Sequence, residues 1–223
     1  MTNNELLDIA SELGNPLYVY DAAKIASQYQ RLTSTFSRIG DLRINYAAKA
    51  LSNLSILKLM RQLGSGLDTV SIQEVQLGLA AGFEPQAIIY TPNGVSLKEI
   101  EEVAKMGVQI NIDNLSLLEQ FGTRHPKTPV CIRINPHVMA GGNSNISVGH
   151  IDSKFGISIH QIPHLLRIIE NTSMKINGIH MHTGSDILDI DVFLLSTLLW
   201  SSSQLVYSLP IQIPFQPQNC LHN

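Results

Sequence analysis

The chain has 223 residues, 44% of them hydrophobic, which is enough for one large domain with a sizeable core. A net charge of −3 and a pI near 6.2 leave no electrostatic footprint for nucleic acid or an anionic membrane. Two cysteines, Cys131 and Cys220, are too few for a disulfide framework, residues 1–5 carry no basic lead-in to an apolar stretch, and no run approaches the roughly 20 apolar residues of a membrane span. The expectation is a cytoplasmic protein with no membrane and no nucleic-acid partner.

In chain order, Leu6, Leu7, Ile9, Ala10 and Leu13 form a helical stripe that Gly14 ends. A short strand is expected over 17–20, then a helix over 22–38 with Asp21 as its N-cap. From residue 43 strands and helices alternate. Strands are expected at 44–49, 67–70, 88–90, 109–112, 130–135 and 175–182, and helices near 53–62, 72–81, 96–105, 114–122 and 160–171. Ser52, Ser71, Ser96, Asp113 and Ser158 fall near helix starts, and Gly64, Gly82, Gly107 and Gly122 at or past helix ends. A repeat of about 20 residues per unit favours an α/β (β/α)8 TIM-type barrel over an open doubly wound sheet, although six units are countable.

Two segments break the alternation. Residues 136–156 are glycine-rich, and a loop of that length inside a domain is usually functional. Residues 192–223 hold no Asp, Glu, Lys or Arg in 32 positions, whereas charged residues average roughly a quarter of globular sequence. The expected organisation is a helix-strand-helix segment over 1–40, a partial barrel over 41–191 and an aberrant tail over 192–223, disordered or produced by a reading-frame change near residue 195.

In parallel α/β folds the chemistry gathers at the C-terminal ends of the strands. Those ends are Lys49, Asp68, Arg133 and His182, with Ser185 just beyond. A lysine desolvated in that position can act as a Schiff-base nucleophile. Taken singly, Lys49 reads as a surface lysine, Arg133 as half of a rim ion pair or a site residue, His182 as a core histidine and Ser185 as a helix cap. Together they offer an amine, a carboxylate, a guanidinium and an imidazole to an anionic, planar, carbonyl-bearing cofactor. The remaining histidines show no metal-like grouping, so no metal site is expected.

The segments Tyr46-Ala47-Ala48-Lys49-Ala50, Gly64-Ser65-Gly66-Leu67-Asp68, Arg133-Ile134-Asn135-Pro136, Asp152-Ser153-Lys154-Phe155-Gly156 and His180-Met181-His182-Thr183-Gly184-Ser185 stand in one order. In that order they resemble the pyridoxal-phosphate decarboxylases of the alanine-racemase-like barrel class, and most of all the diaminopimelate decarboxylases. The resemblance runs from about residue 15 to 194. It implies pyridoxal 5'-phosphate as cofactor and the conversion of meso-diaminopimelate to lysine and CO2, the last step of lysine biosynthesis. It makes Lys49 and His182 catalytic, Lys49 as the Schiff-base lysine and His182 stacked on the pyridine ring. Asp68 would orient His182, Arg133 would lie near the cofactor's phenolate oxygen, and Ser185 would hydrogen-bond the cofactor. His180 would back His182, and Lys154 would meet anionic substrate. The family's relatives acting on ornithine, arginine or carboxynorspermidine, and a non-catalytic cofactor carrier, are the alternatives. Full-length relatives are homodimers. The family's phosphate-holding glycine loop, its ring-nitrogen glutamate and its C-terminal β-domain have no counterpart here. The expectation is therefore a truncated chain with the Schiff-base half of a site and poor stability.

Overall fold

The computed structural model describes residues 1–38, 40, 42–138, 155–182, 184, 190–191 and 194–195. Two helices come first, α1 (Asn3–Leu13) and α2 (Ala22–Thr35). Helix α1 starts on a capping box between Thr2 and Glu5, and Asp21 caps α2 by accepting the Lys24 amide at 3.0 Å. Neither helix buries a residue fully; Ile25 and Tyr29 of α2 pack against the edge of the core. The strand expected over 17–20 does not form. Tyr18 is 90% exposed, and no neighbouring strand pairs with these residues, so nothing rewards an extended ladder there.

The rest is strand-helix alternation. Strands β1 (Asn45–Ala47), β2 (Gly66–Thr69), β3 (Ile88–Tyr90), β4 (Gln109–Ile112) and β5 (Val130–Asn135) pair in sequence order, all parallel. Two more, β6 (Ile157–Ser158) and β7 (Ile176–Met181), both pair with β5, also parallel. Helices α3 (Leu54–Gln62), α4 (Ile72–Ala80), α5 (Leu97–Ala104), α6 (Leu115–Arg124) and α7 (Ile162–Thr172) lie between them. The described sheet is thus an arc of the expected barrel. Strand β1 is shorter than expected because the chain turns into a 3-10 segment at Ala48–Ala50. Residues 192–223 lie outside the described residues except 194 and 195, which are helical.

Two contacts show which way the strands face. Gly78 of α4 sits against Leu67 and Ile88, and the Tyr90 hydroxyl donates to Glu99 Oε1 of α5 at 2.6 Å. These residues therefore point to the helices, as do Ile110, Ile112, Val130, Ile132 and Ile134 in the same alternation, and all are buried. The next residue in each strand points the other way, into the barrel.

Local expectations divide on chemistry. Ser71 and Ser96 cap α4 and α5 as expected. At α3 the cap is Asn53 rather than Ser52, its carboxamide oxygen accepting from Ser55 N at 2.9 Å. At α6 it is Asn114 rather than Asp113. Gly64, Gly82 and Gly107 have positive φ at helix ends. Gly122 does not: it lies within α6, where a Cβ would meet Met174 Sδ at 2.9 Å and Thr172 Oγ1 at 2.9 Å, so a close approach, not a turn, requires glycine.

Candidate active site

Most of the barrel-facing side chains on β2, β4, β5 and β7 are polar; Cys131 of β5 and Ile89 of β3 face the same way. Register pairs Ala47 with Asp68, Asn111 with Cys131 and Arg133 with His180, which carries one polar band across the sheet. At its C-terminal rim lie Lys49, Asp68, Arg133 and His182. Lys49 and Arg133 both favour the charged form of Asp68, and both disfavour protonation of His182. The structure therefore brings together four of the five expected site residues; Ser185 lies outside the described residues, as does Lys154.

Arg133 is the most informative of them. It is 7% exposed, yet among the described residues no carboxylate lies within salt-bridge distance of it. Its guanidinium sits 5.0 Å from the centre of the Phe155 ring, a cation–π contact that holds the plane without using its N–H donors. Burial makes its charge costly; Asp113 and then Asp68 offset that cost through space. A rim ion pair is not what this arginine makes.

Asp68 is pulled in both directions. Burial raises its pKa most, and the hydrogen bond from the Thr91 hydroxyl at 2.9 Å lowers it, helped by Lys49 and Arg133 and opposed by Glu74. Asp68, expected to orient His182, has the Thr91 hydroxyl as its hydrogen-bond donor among the described residues. Asp113, 5% exposed, accepts from Asn93 Nδ2 at 2.6 Å and from Asn114 Nδ2 at 3.2 Å. Burial, then Arg133 and Lys49, push the His182 imidazole below its usual range. His180 is pushed down to about 4 by burial, then by Arg133 and His182, and its Nδ1 is buried with no hydrogen-bond partner.

Lys49 departs from expectation. It is exposed, on the 3-10 segment just past β1, rather than desolvated in a strand end. The reason is its position: β1 has one described strand neighbour, β2, so no second strand covers the amine.

Sequence reasoning missed Thr91, Asn111 and Asp113. The signal was available, since Thr91 and Asp113 directly follow β3 and β4, the two strands whose ends were not searched for site residues.

This helix-flanked arc of parallel strands, with an amine, a guanidinium and a carboxylate at its rim, matches part of a cofactor-binding barrel. The chain belongs to the pyridoxal-dependent decarboxylases: residues 22–199 match the family model described as "Pyridoxal-dependent decarboxylase, pyridoxal binding domain". It is 36% identical over 194 residues to the diaminopimelate decarboxylase of Methanothermobacter thermautotrophicus, covering 86% of this chain and 45% of that protein. It is 34% identical over 191 residues to the Escherichia coli K12 diaminopimelate decarboxylase, covering 84% and 44%. The Helicobacter pylori diaminopimelate decarboxylase complexed with L-lysine superposes with a TM-score of 0.78 at 29% identity, covering 94% of this chain and 55% of that one. The chain thus spans less than half the length of these curated relatives.

Proposed function

We propose that this chain is the cofactor-binding part of a diaminopimelate decarboxylase, which releases CO2 from meso-diaminopimelate to give lysine. The observation that carries the reading is Arg133, a buried guanidinium with unspent donors on the polar rim beside Lys49, Asp68 and His182. The similarity to proteins named diaminopimelate decarboxylase supports the substrate.

The residues present fit pyridoxal phosphate on chemical grounds. A buried cation lacking an acceptor suits an anionic oxygen, and an exposed primary amine suits an aldehyde. When bound, this cofactor supplies a conjugated ring that accepts the electron pair released as a Cα–carboxylate bond breaks. In our reading Lys49 would hold the cofactor through its aldehyde, and Arg133 would donate to an anionic oxygen of it. The His182 imidazole, its pKa lowered by burial and then by Arg133 and Lys49, would face the ring without adding a second positive charge. Asp68 balances Lys49 and Arg133, so the rim does not accumulate positive charge.

A homodimer and a cytoplasmic location belong to the same reading. The first rests on the family resemblance, the second on the low cysteine content; Cys131 is buried and unpaired. The reading is tested by supplying the protein with pyridoxal phosphate and, separately, meso-diaminopimelate, ornithine and arginine. Any lysine and CO2 are expected from diaminopimelate and not from the other two. Turnover of ornithine or arginine instead would reassign the substrate; CO2 release that appears only when the C-terminal part of a relative is added would make the chain half of an enzyme, and bound cofactor with no CO2 even then would indicate a carrier.

A further inference from the structure

We propose that Thr91 and Asn111 are positioning residues that hold Asp68 as a fixed, ionised carboxylate at the rim of the barrel. Thr91 directly follows β3 and continues its ladder, its amide donating to Thr69 O at 2.7 Å. It lies two residues beyond Ile89, the register partner of Asp68, and so shares the barrel-facing side with that carboxylate. Its hydroxyl donates to Asp68 Oδ1 at 2.9 Å, and its oxygen accepts from Asn111 Nδ2 at 2.9 Å. Thr91 is 7% and Asn111 3% exposed, so water does not substitute freely for either contact.

The direction of this relay follows from its donors. A hydroxyl has one proton, and an amide nitrogen can only donate. With the Asn111 nitrogen turned to Thr91, the Thr91 proton is committed to Asp68, and an ionised carboxylate is the partner that accepts it. The cost shows at the far end: Asn111 Oδ1 is buried with no partner. Turning the amide over would pair that oxygen with the Thr91 proton and strip Asp68 of its donor. A half-turn would also move the Nδ2 donors into that buried position, so the orientation with the nitrogen toward Thr91 keeps one more hydrogen bond, the one to Asp68.

The groups acting on Asp68 are Lys49 and Arg133, which favour its charge, and Glu74, which opposes it together with burial. Neither cation forms an ion pair with it among the described residues, and the Thr91 hydroxyl is its one described hydrogen bond. The relay therefore keeps Asp68 charged while tethering it away from Arg133 and Lys49, whose N–H groups remain available. The use of those groups for a cofactor rests on the function proposed above; the relay itself does not.

The test is a carbon-13 carboxyl titration of Asp68 in the full, cofactor-free chain. Thr91→Val keeps the shape and removes the hydroxyl, and is expected to raise the Asp68 midpoint by about one pH unit. Thr91→Ser should return it to the wild-type value, and Asn111→Ala should raise it by less than Thr91→Val does. An unchanged midpoint in Thr91→Val overturns the proposal, as does a Thr91→Ser midpoint that stays with the valine variant. Should the valine variant not fold, Asn111→Ala decides alone, and an unchanged midpoint there is equally fatal. A chain that titrates as expected but binds no pyridoxal phosphate would remove the functional reading and leave the relay standing.

Discussion

Arg133 and His180 stand directly opposite each other across the parallel β5–β7 pair, a buried guanidinium beside a half-buried imidazole whose Nδ1 is buried. Burial and the guanidinium together hold the imidazole neutral, with a pKa near 4 against an ordinary 6.5.

That difference couples stability to acid. An unfolded chain takes up a proton at His180 around pH 6.5, the native chain only around pH 4, so acid between those values favours unfolding. The stabilisation is complete above the unfolded value and is lost as pH falls through the window, by about 3 kcal/mol at its lower end. His182 is shifted in the same direction and adds to the loss. Asp68, raised by burial, protonates more readily in the native chain and offsets part of it at the acid end. Urea unfolding between pH 7.5 and 4 should show the decline, and His180→Asn should flatten it. An equally steep decline in that variant would contradict the assignment.

Gly156 offers a purely steric prediction. Its φ is +81°, and a Cβ there would lie 3.0 Å from the Asn135 nitrogen and 3.1 Å from the Ile134 carbonyl carbon, backbone atoms that cannot turn aside. Gly64 has a similar φ of +90° with nothing within 4 Å. Gly64→Ala is therefore expected to cost about 1 kcal/mol, the conformational penalty alone, and Gly156→Ala at least about 2 kcal/mol. Equal losses by denaturant unfolding would show that the backbone contact at Gly156 does not matter.

The elements that sequence reading placed correctly are the ones whose two sides are both covered. Strands β3, β4 and β5 have the expected bounds because runs such as Val130–Asn135 are buried along their full length. The misplaced elements lack that reinforcement. Residues 17–20 have strand-like composition but no partner, and β6 is two residues long, too short for any periodicity to register. Site residues followed the same logic. That Lys49, Asp68, Arg133 and His182 would lie near one another was legible because strand ends converge. The tether on Asp68 was not, since a threonine just after β3 and an asparagine on β4 become neighbours only through register.

Arg133→Met should separate binding from folding. The methionine fills the space over Phe155 and removes the donors, so affinity for pyridoxal phosphate should fall about tenfold or more. Because no ion pair is broken, the unfolding free energy should stay within about 1 kcal/mol of wild type. Unaltered affinity by absorbance titration would place the anionic group elsewhere; loss of cooperative unfolding would make Arg133 a structural residue.

The central claim is that Lys49 carries the cofactor, despite its exposure on the turn after β1. The direct measurement is to incubate the protein with pyridoxal phosphate, reduce with borohydride and locate the pyridoxyl group by peptide mass analysis. The account requires the label on Lys49, with Lys49→Arg unlabelled under the same conditions. A label spread over surface lysines, or undiminished labelling of Lys49→Arg, would contradict it.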